Sequence, residues 1–266
     1  MSIIKAGLSS SIFTSLSADE TIARAAALGL QGIEWSADTH LPHGDLEKAE
    51  RLMMGTLRGG LTISSYGSQY RIGLPDCEEE PRQSFKAVLD TARWLQAPLI
   101  RIWAHRTRPC GLLSRATLYS QLSRIADRAG KLGICLAIEP HPKSFIASYE
   151  VLLDIVEMAR HPYVRSCWAP LRDMGTDRIS SALGAKTAMI HCRHLRHMGA
   201  IEALRKPFVP VFAEVYRRSR ETTLDYWMIL DHNATHSDEG LRDETSRLKA
   251  LIAEGPDSAS LQGAGR

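Results

Sequence analysis

The sequence predicts one closed barrel of eight parallel strands wrapped by helices, a (β/α)8 fold. Three observations point there. Eight short apolar runs begin near Ile3, Gly32, Leu61, Pro98, Ile134, Tyr163, Thr187 and Tyr226, at offsets of 24 to 39 residues. Each offset holds a strand, a helix and two loops. The runs are almost continuously apolar, as in PLIRIW (98–103) and ICLAIE (134–139), which suits strands covered on both faces. The turn Gly7-Leu8-Ser9-Ser10 lacks the G-x-G-x-x-G fingerprint of a doubly wound open sheet. Eight such units in about 250 residues fit the barrel.

The helices announce themselves in order. Ser17 and Glu20 make a capping box, in which each side chain satisfies an unpaired N–H of the first turn. The helix they open ends at Gly29, a residue suited to a C-cap. Phe85, Val88, Leu89, Ala92 and Leu95 recur at helical spacing. Leu118 to Leu132 repeats that pattern and stops at Gly133. Asp238 to Leu251 closes the series. Residues 1–254 form one domain on this reading, and 255–266, small and polar, form a flexible tail.

Composition narrows the class. The chain has 266 residues, 44% hydrophobic and 24% charged, with a net charge of +3. It can bury a large core without disulfides or structural metal. So weak a basic bias gives no reason to expect a nucleic-acid partner. No apolar run reaches the roughly 18 residues of a membrane span. The N-terminal MSIIKAGLSS has no secretory h-region. The five cysteines form no C-x-x-C pair and read as reduced thiols in the cytoplasm.

A barrel places its chemistry where strands end. The second run ends Gly32-Ile33-Glu34-Trp35, followed by Asp38, His40 and His43. The fourth puts Arg101, Trp103 and His105 on one face, and the fifth does the same with Glu139 and His141. The seventh ends in His191, Cys192 and Arg193, and the eighth in Asp231 and His232. An acid after a run such as ICLAI is costly to bury unless paired or bound to metal. Glu139, His191 and Asp231 offer donors suited to Mg²⁺, Mn²⁺ or Zn²⁺. The same acids could instead pair with Arg101 or Arg193. The residues alone leave that choice open.

At these residues the chain resembles the sugar phosphate isomerase/epimerase family, the xylose-isomerase-like TIM barrels. The segments that carry the likeness are GIEWSADTHLPHGD (32–45), SYGSQYRIG (65–73), LIRIWAH (99–105), AIEPH (137–141) and the last strand and helix, 229–252. The resemblance implies a divalent metal and aldose–ketose isomerase or epimerase chemistry on a small carbohydrate-like substrate. It implies metal ligands at Glu139, His191 and Asp231. Asp231 stands where the family has Glu. The family's strand-six Asp has no counterpart at the strand end, and Asp173 lies a few residues further on. Glu139 and Asp231 would carry the proton through an enediolate. His40, Tyr66, Ser68, Arg101, Trp103, His141 and Arg193 would contact substrate. Alternatives on the same barrel are a dehydratase or lyase and a non-catalytic binding barrel with a degenerate metal site. Assembly into homo-oligomers stays open.

Two signals remain. Trp35, Trp103 and Trp168 could wall a sugar pocket or pack the core. The stretch 193–221 carries seven Lys or Arg against three Glu. It reads as a solvated helix face or as an attractor of phosphate.

Overall fold

A computed structural model describes residues 4–73, 84–105, 115–169, 177–193, 202–221, 225–232 and 238–256. Eight strands follow in order: β1 (Ile4–Ser9), β2 (Gly32–Ser36), β3 (Thr62–Ile72), β4 (Leu99–Ala104), β5 (Cys135–Ile138), β6 (Val164–Trp168), β7 (Thr187–Arg193) and β8 (Tyr226–His232). Each starts at, or one residue after, the position its apolar run predicts. Every neighbour pair is parallel, and β1 pairs with β8 to close the barrel.

Helices separate the strands. They are α1 (Ala18–Ala27), α2 (Leu46–Arg58), α3 (Phe85–Trp94), α4 (Arg115–Gly130), α5 (Tyr149–Ala159), α6 (Asp177–Gly184), α7 (Glu202–Ser219) and α8 (Asp238–Glu254). Side-chain caps fix several starts. Ser17 and Glu20 form the expected box on α1, while Asp45, Ser84 and Ser148 accept from backbone N–H groups of α2, α3 and α5. Gly29 ends α1 at φ 64°, a left-handed conformation that favours glycine. No described helix is long and apolar enough to cross a membrane.

Two apolar assemblies result. The larger lies between strands and helices. The smaller fills the barrel itself, with Leu99, Ala137, Cys167, Met189, Trp227 and Ile229 stacked inside. Such a layer is a packed floor, not a pore. It forces small residues on the strands opposite. A Cβ on Gly32 would lie 2.5 Å from the Trp227 ring and 2.8 Å from the Thr62 carbonyl oxygen. A Cβ on Gly7 would lie 2.8 Å from Ile229 Cδ1 and 2.8 Å from the Gly32 carbonyl oxygen. Cys135, Cys167 and Cys192 are reduced, the last two buried.

Gly32→Ala should therefore overpack the floor and cost about 1–3 kcal/mol. Urea unfolding of the two proteins checks this. An unchanged midpoint would mean that the floor yields to an extra methyl group.

Candidate active site

Alternation along the strands points one residue in two into the barrel. Above the apolar floor, the inward positions near the C-terminal ends become polar. The β2–β3 register shifts between Ile33 and Glu34, which sets Glu34 opposite Ser65. The Ser65 hydroxyl donates to Glu34 Oε2 at 2.8 Å. Gly67 stands two residues further along β3. A Cβ there would lie 2.8 Å from Arg101 Nη2 and 3.2 Å from Glu34 Oε1. The missing side chain makes room for a guanidinium.

Arg101 fills that room. Its Nη2 donates to Glu34 Oε1 at 3.0 Å, and its Nε reaches both Glu34 oxygens at 3.2–3.3 Å. Its Nη1 donates to Glu139 Oε2 at 2.5 Å. The same Glu139 oxygen accepts from Trp103 Nε1 at 2.5 Å. The Arg101 guanidinium also lies 5.5 Å from the centre of the Trp103 ring.

His191 sits at the centre and is fully buried. Its Nε2 faces Glu34 Oε2 at 3.5 Å. Its Nδ1 faces Asp231 Oδ2 at 3.5 Å and Glu139 Oε1 at 3.8 Å. Neither ring nitrogen makes a hydrogen bond to a described residue. Such spacings are long for hydrogen bonds. They resemble the ~3.4 Å between two donors that share a tetrahedral ion at ligand bonds of about 2.1 Å. Glu34, His191 and Asp231 each place one donor atom within 4.8 Å of the other two.

The electrostatics follow from crowding. Three carboxylates meet one guanidinium. Burial alone would raise the Glu34 carboxyl, but Arg101 and His191 hold it well below the usual range. Burial would push the His191 imidazole down, but Asp231 and Glu34 outweigh it and raise the pKa to about 9. With His191 neutral, the cluster carries two uncompensated negative charges, matching a divalent cation. The donor set and the buried imidazole without hydrogen bonds both fit a metal.

Comparison with known proteins agrees with this architecture. The family described as "Xylose isomerase-like TIM barrel" matches residues 22–251. The chain belongs to that family. Solved structures share the fold at low identity. One is a xylose isomerase-like TIM barrel/4-hydroxyphenylpyruvate dioxygenase fusion protein, 14% identical, with a TM-score of 0.70 over 93% of this chain. This chain covers 42% of that fusion protein. A second is the 3-keto-D-glucoside 4-epimerase YcjR from E. coli in its apo form, 14% identical, TM-score 0.66, covering 94% of this chain and 99% of the other. A third is the IolI protein with a bound zinc atom, 11% identical, TM-score 0.67, covering 96% and 99%. No curated protein sequence gives a significant match.

This xylose isomerase-like barrel brings together Arg101, Trp103, Glu139, His191 and Asp231, as the strand ends suggested. It adds Glu34, whose position inside the apolar run GIEW carried the same signal as Glu139. Glu139 pairs with Arg101, and the three donors that lie within 4.8 Å of one another are Glu34, His191 and Asp231, so Glu34 stands in this group where Glu139 was expected. Asp231, although one methylene shorter than Glu, still reaches the imidazole.

Other expected substrate contacts lie elsewhere. Tyr66 has the opposite parity to Ser65, is fully buried, and donates its hydroxyl to the Leu41 carbonyl. Ser68 donates to the Arg101 backbone carbonyl at 2.7 Å. His40 lies between its loop and α1, with Nε2 at 3.0 Å from the Leu16 carbonyl and its ring edge-on to Trp35. These three serve the layer between strands and helices. His141 stands at the mouth, with its ring 5.7 Å from that of Trp103. Trp35 and Trp168 are core residues; Trp35 donates to Thr56, and Trp168 packs on Tyr149 and Phe208. The Arg193 side chain and Asp173 fall outside the described residues.

Two outcomes are expected. Arg101→Met leaves Glu34 and Glu139 buried without their cation and should cost about 3–5 kcal/mol. Adding Glu34→Gln should recover part of that loss, as measured by urea unfolding. The second concerns pH. The protonated His191 stabilises the fold fully below its unfolded pKa near 6.5. That contribution is lost as pH rises through about 9. Thermal midpoints of chelator-treated protein should fall across this window, and His191→Gln should flatten the fall. Identical pH slopes would contradict the charged imidazole.

Proposed function

We propose that the protein isomerises or epimerises a small sugar, keto-sugar or hydroxy-carbonyl compound by proton transfer. The carrying observation is the convergence of Glu34, Glu139 and Asp231 on His191 at the mouth of the barrel. Glu34, His191 and Asp231 would hold a divalent cation: Mg²⁺, Mn²⁺ or Zn²⁺. When bound, such an ion withdraws charge from substrate oxygens.

The chain's own groups divide the remaining work. Glu34 is locked by Arg101 and Ser65, which suits holding over proton exchange. The Asp231 side chain is 10% exposed against 3% or less for Glu34 and Glu139, so it stands nearest an entering substrate. Glu139 has Oε2 fixed by Arg101 and Trp103, with Oε1 turned toward His191. One carboxylate removes the proton beside a carbonyl, and the other returns it. Arg101 supplies positive charge where the substrate oxygen gains negative charge. The half-buried Trp103 ring at the mouth offers a flat apolar face to the C–H side of a sugar. The names of the neighbours support this reading, one being a keto-glucoside epimerase and another holding zinc.

Two measurements test it. Calorimetry of tag-free, chelator-treated protein with Mn²⁺ and Zn²⁺ should show one site, weakened at least about tenfold in His191→Gln. Keto-sugars incubated in D₂O should gain deuterium at one carbon beside the carbonyl, read by proton NMR. Glu139→Gln should slow that exchange about 10²- to 10⁴-fold while still unfolding cooperatively. Loss of water from the product would indicate a dehydratase. Absence of both metal binding and exchange would favour a binding barrel.

A further inference from the structure

The opposite end of the barrel carries a second hollow of about 460 Å³. That lies within the range of small-molecule sites, ~300–1,000 Å³. It is formed by the N-terminal starts of β3 to β8, with Met53 and Leu57 of α2 at one side. Its apolar wall includes Ile63, Leu99 and Trp227. Leu99 and Trp227 belong to the floor that packs the barrel interior. The hollow and the polar cluster therefore lie on opposite faces of one apolar layer.

Its charges are unbalanced. Arg165 of β6 and Arg218 of α7 both line it and are half-buried. The hydrogen bonds described for them go to neutral groups. Arg165 Nη1 donates to the Val164 carbonyl at 3.2 Å, and Arg218 Nε lies 3.4 Å from the Tyr226 hydroxyl. Neither forms an ion pair among the described residues. Among the described residues one acid lines the hollow, Asp225, and Lys5 binds it at 2.6 Å. Glu214, one turn before Arg218, is bound by Arg217 at 2.7 Å. Two guanidiniums thus flank an apolar cavity, and among the described residues neither is ion-paired with an acid of the chain.

We infer that this N-terminal mouth is a second binding site, for a small amphipathic anion: an apolar body carrying one carboxylate, sulfonate or phosphate. Leu99 and Trp227 take the apolar body by excluding water. Arg165 and Arg218 take the head group through charge-assisted hydrogen bonds. The inference stands apart from the proposed activity, because no residue of the Glu34–His191 cluster lines the hollow.

The probe is anilinonaphthalene sulfonate, whose fluorescence rises on entering an apolar site. It is added to the full-length protein under conditions where unfolding is cooperative. One saturable site is expected, displaced by octanoate and not by octylamine. Arg165→Gln and Arg218→Gln should each weaken it about tenfold, the loss of one hydrogen bond from a charged group. Arg165→Lys should retain most of the affinity. Asp231→Asn, across the floor, should leave it unchanged. Should Arg165→Gln fail to fold, Arg218→Gln at the end of a surface helix decides the matter. Absence of a saturable site, displacement by octylamine, or unchanged binding in the arginine variants would each overturn the inference. So would loss of binding in Asp231→Asn.

Discussion

The arrangement at the barrel mouth depends on one guanidinium. Arg101 is 3% exposed and joins Glu34 of β2 to Glu139 beyond β5. A buried ion pair contributes little net stability compared with apolar packing. Its value here is positional. Without Arg101, two carboxylates would face each other and His191 with only Ser65 and Trp103 to hold them and no cation between them. With it, both oxygens of Glu34 and one of Glu139 are held, and the imidazole has defined neighbours on both edges. Gly67 is part of the same device, because any side chain there would occupy the guanidinium's place.

The floor makes mutual pairing of these charges necessary. Charges in a low dielectric need compensation from their own neighbours. The layer of Leu99, Met189, Trp227 and Ile229 separates the cluster from water at the base. Gly7 and Gly32 let that layer close tightly. The same glycines on β1 and β2 bring Glu34 within reach of residues from β7 and β8. Packing of the floor and geometry of the site are thus one problem, solved by alternating large and absent side chains.

Much of this was readable in the amino-acid order. Strand starts follow from apolar runs, because both faces of a parallel strand are covered. Ser17 with Glu20 revealed a helix start, since capping chemistry is local. Arg101, Trp103, Glu139, His191 and Asp231 were legible as polar residues closing apolar runs. Glu34 obeyed the same rule, but the family pattern drew attention to strands five to eight. Tyr66, Ser68 and His40 were harder to place. The directions of Tyr66 and Ser68 depend on the parity of β3, and that of His40 on its loop's contact with the Leu16 carbonyl, neither of which spacing reveals. The role of Gly67 was illegible for the same reason, since a glycine's purpose lies in what occupies the space beside it.

The circular closure has a consequence for how the chain acquires its chemistry. Glu34 belongs to the second strand and Asp231 to the last, and both face one histidine on the seventh. Contacts so distant in sequence carry a high loop-closure entropy. The cluster therefore cannot be assembled by either half of the chain alone. It comes into being when β8 docks between β7 and β1. Opening the seam on either side of β8 would part Asp231 from its neighbours and let water in, so the charged cluster is only as durable as the closure of the ring.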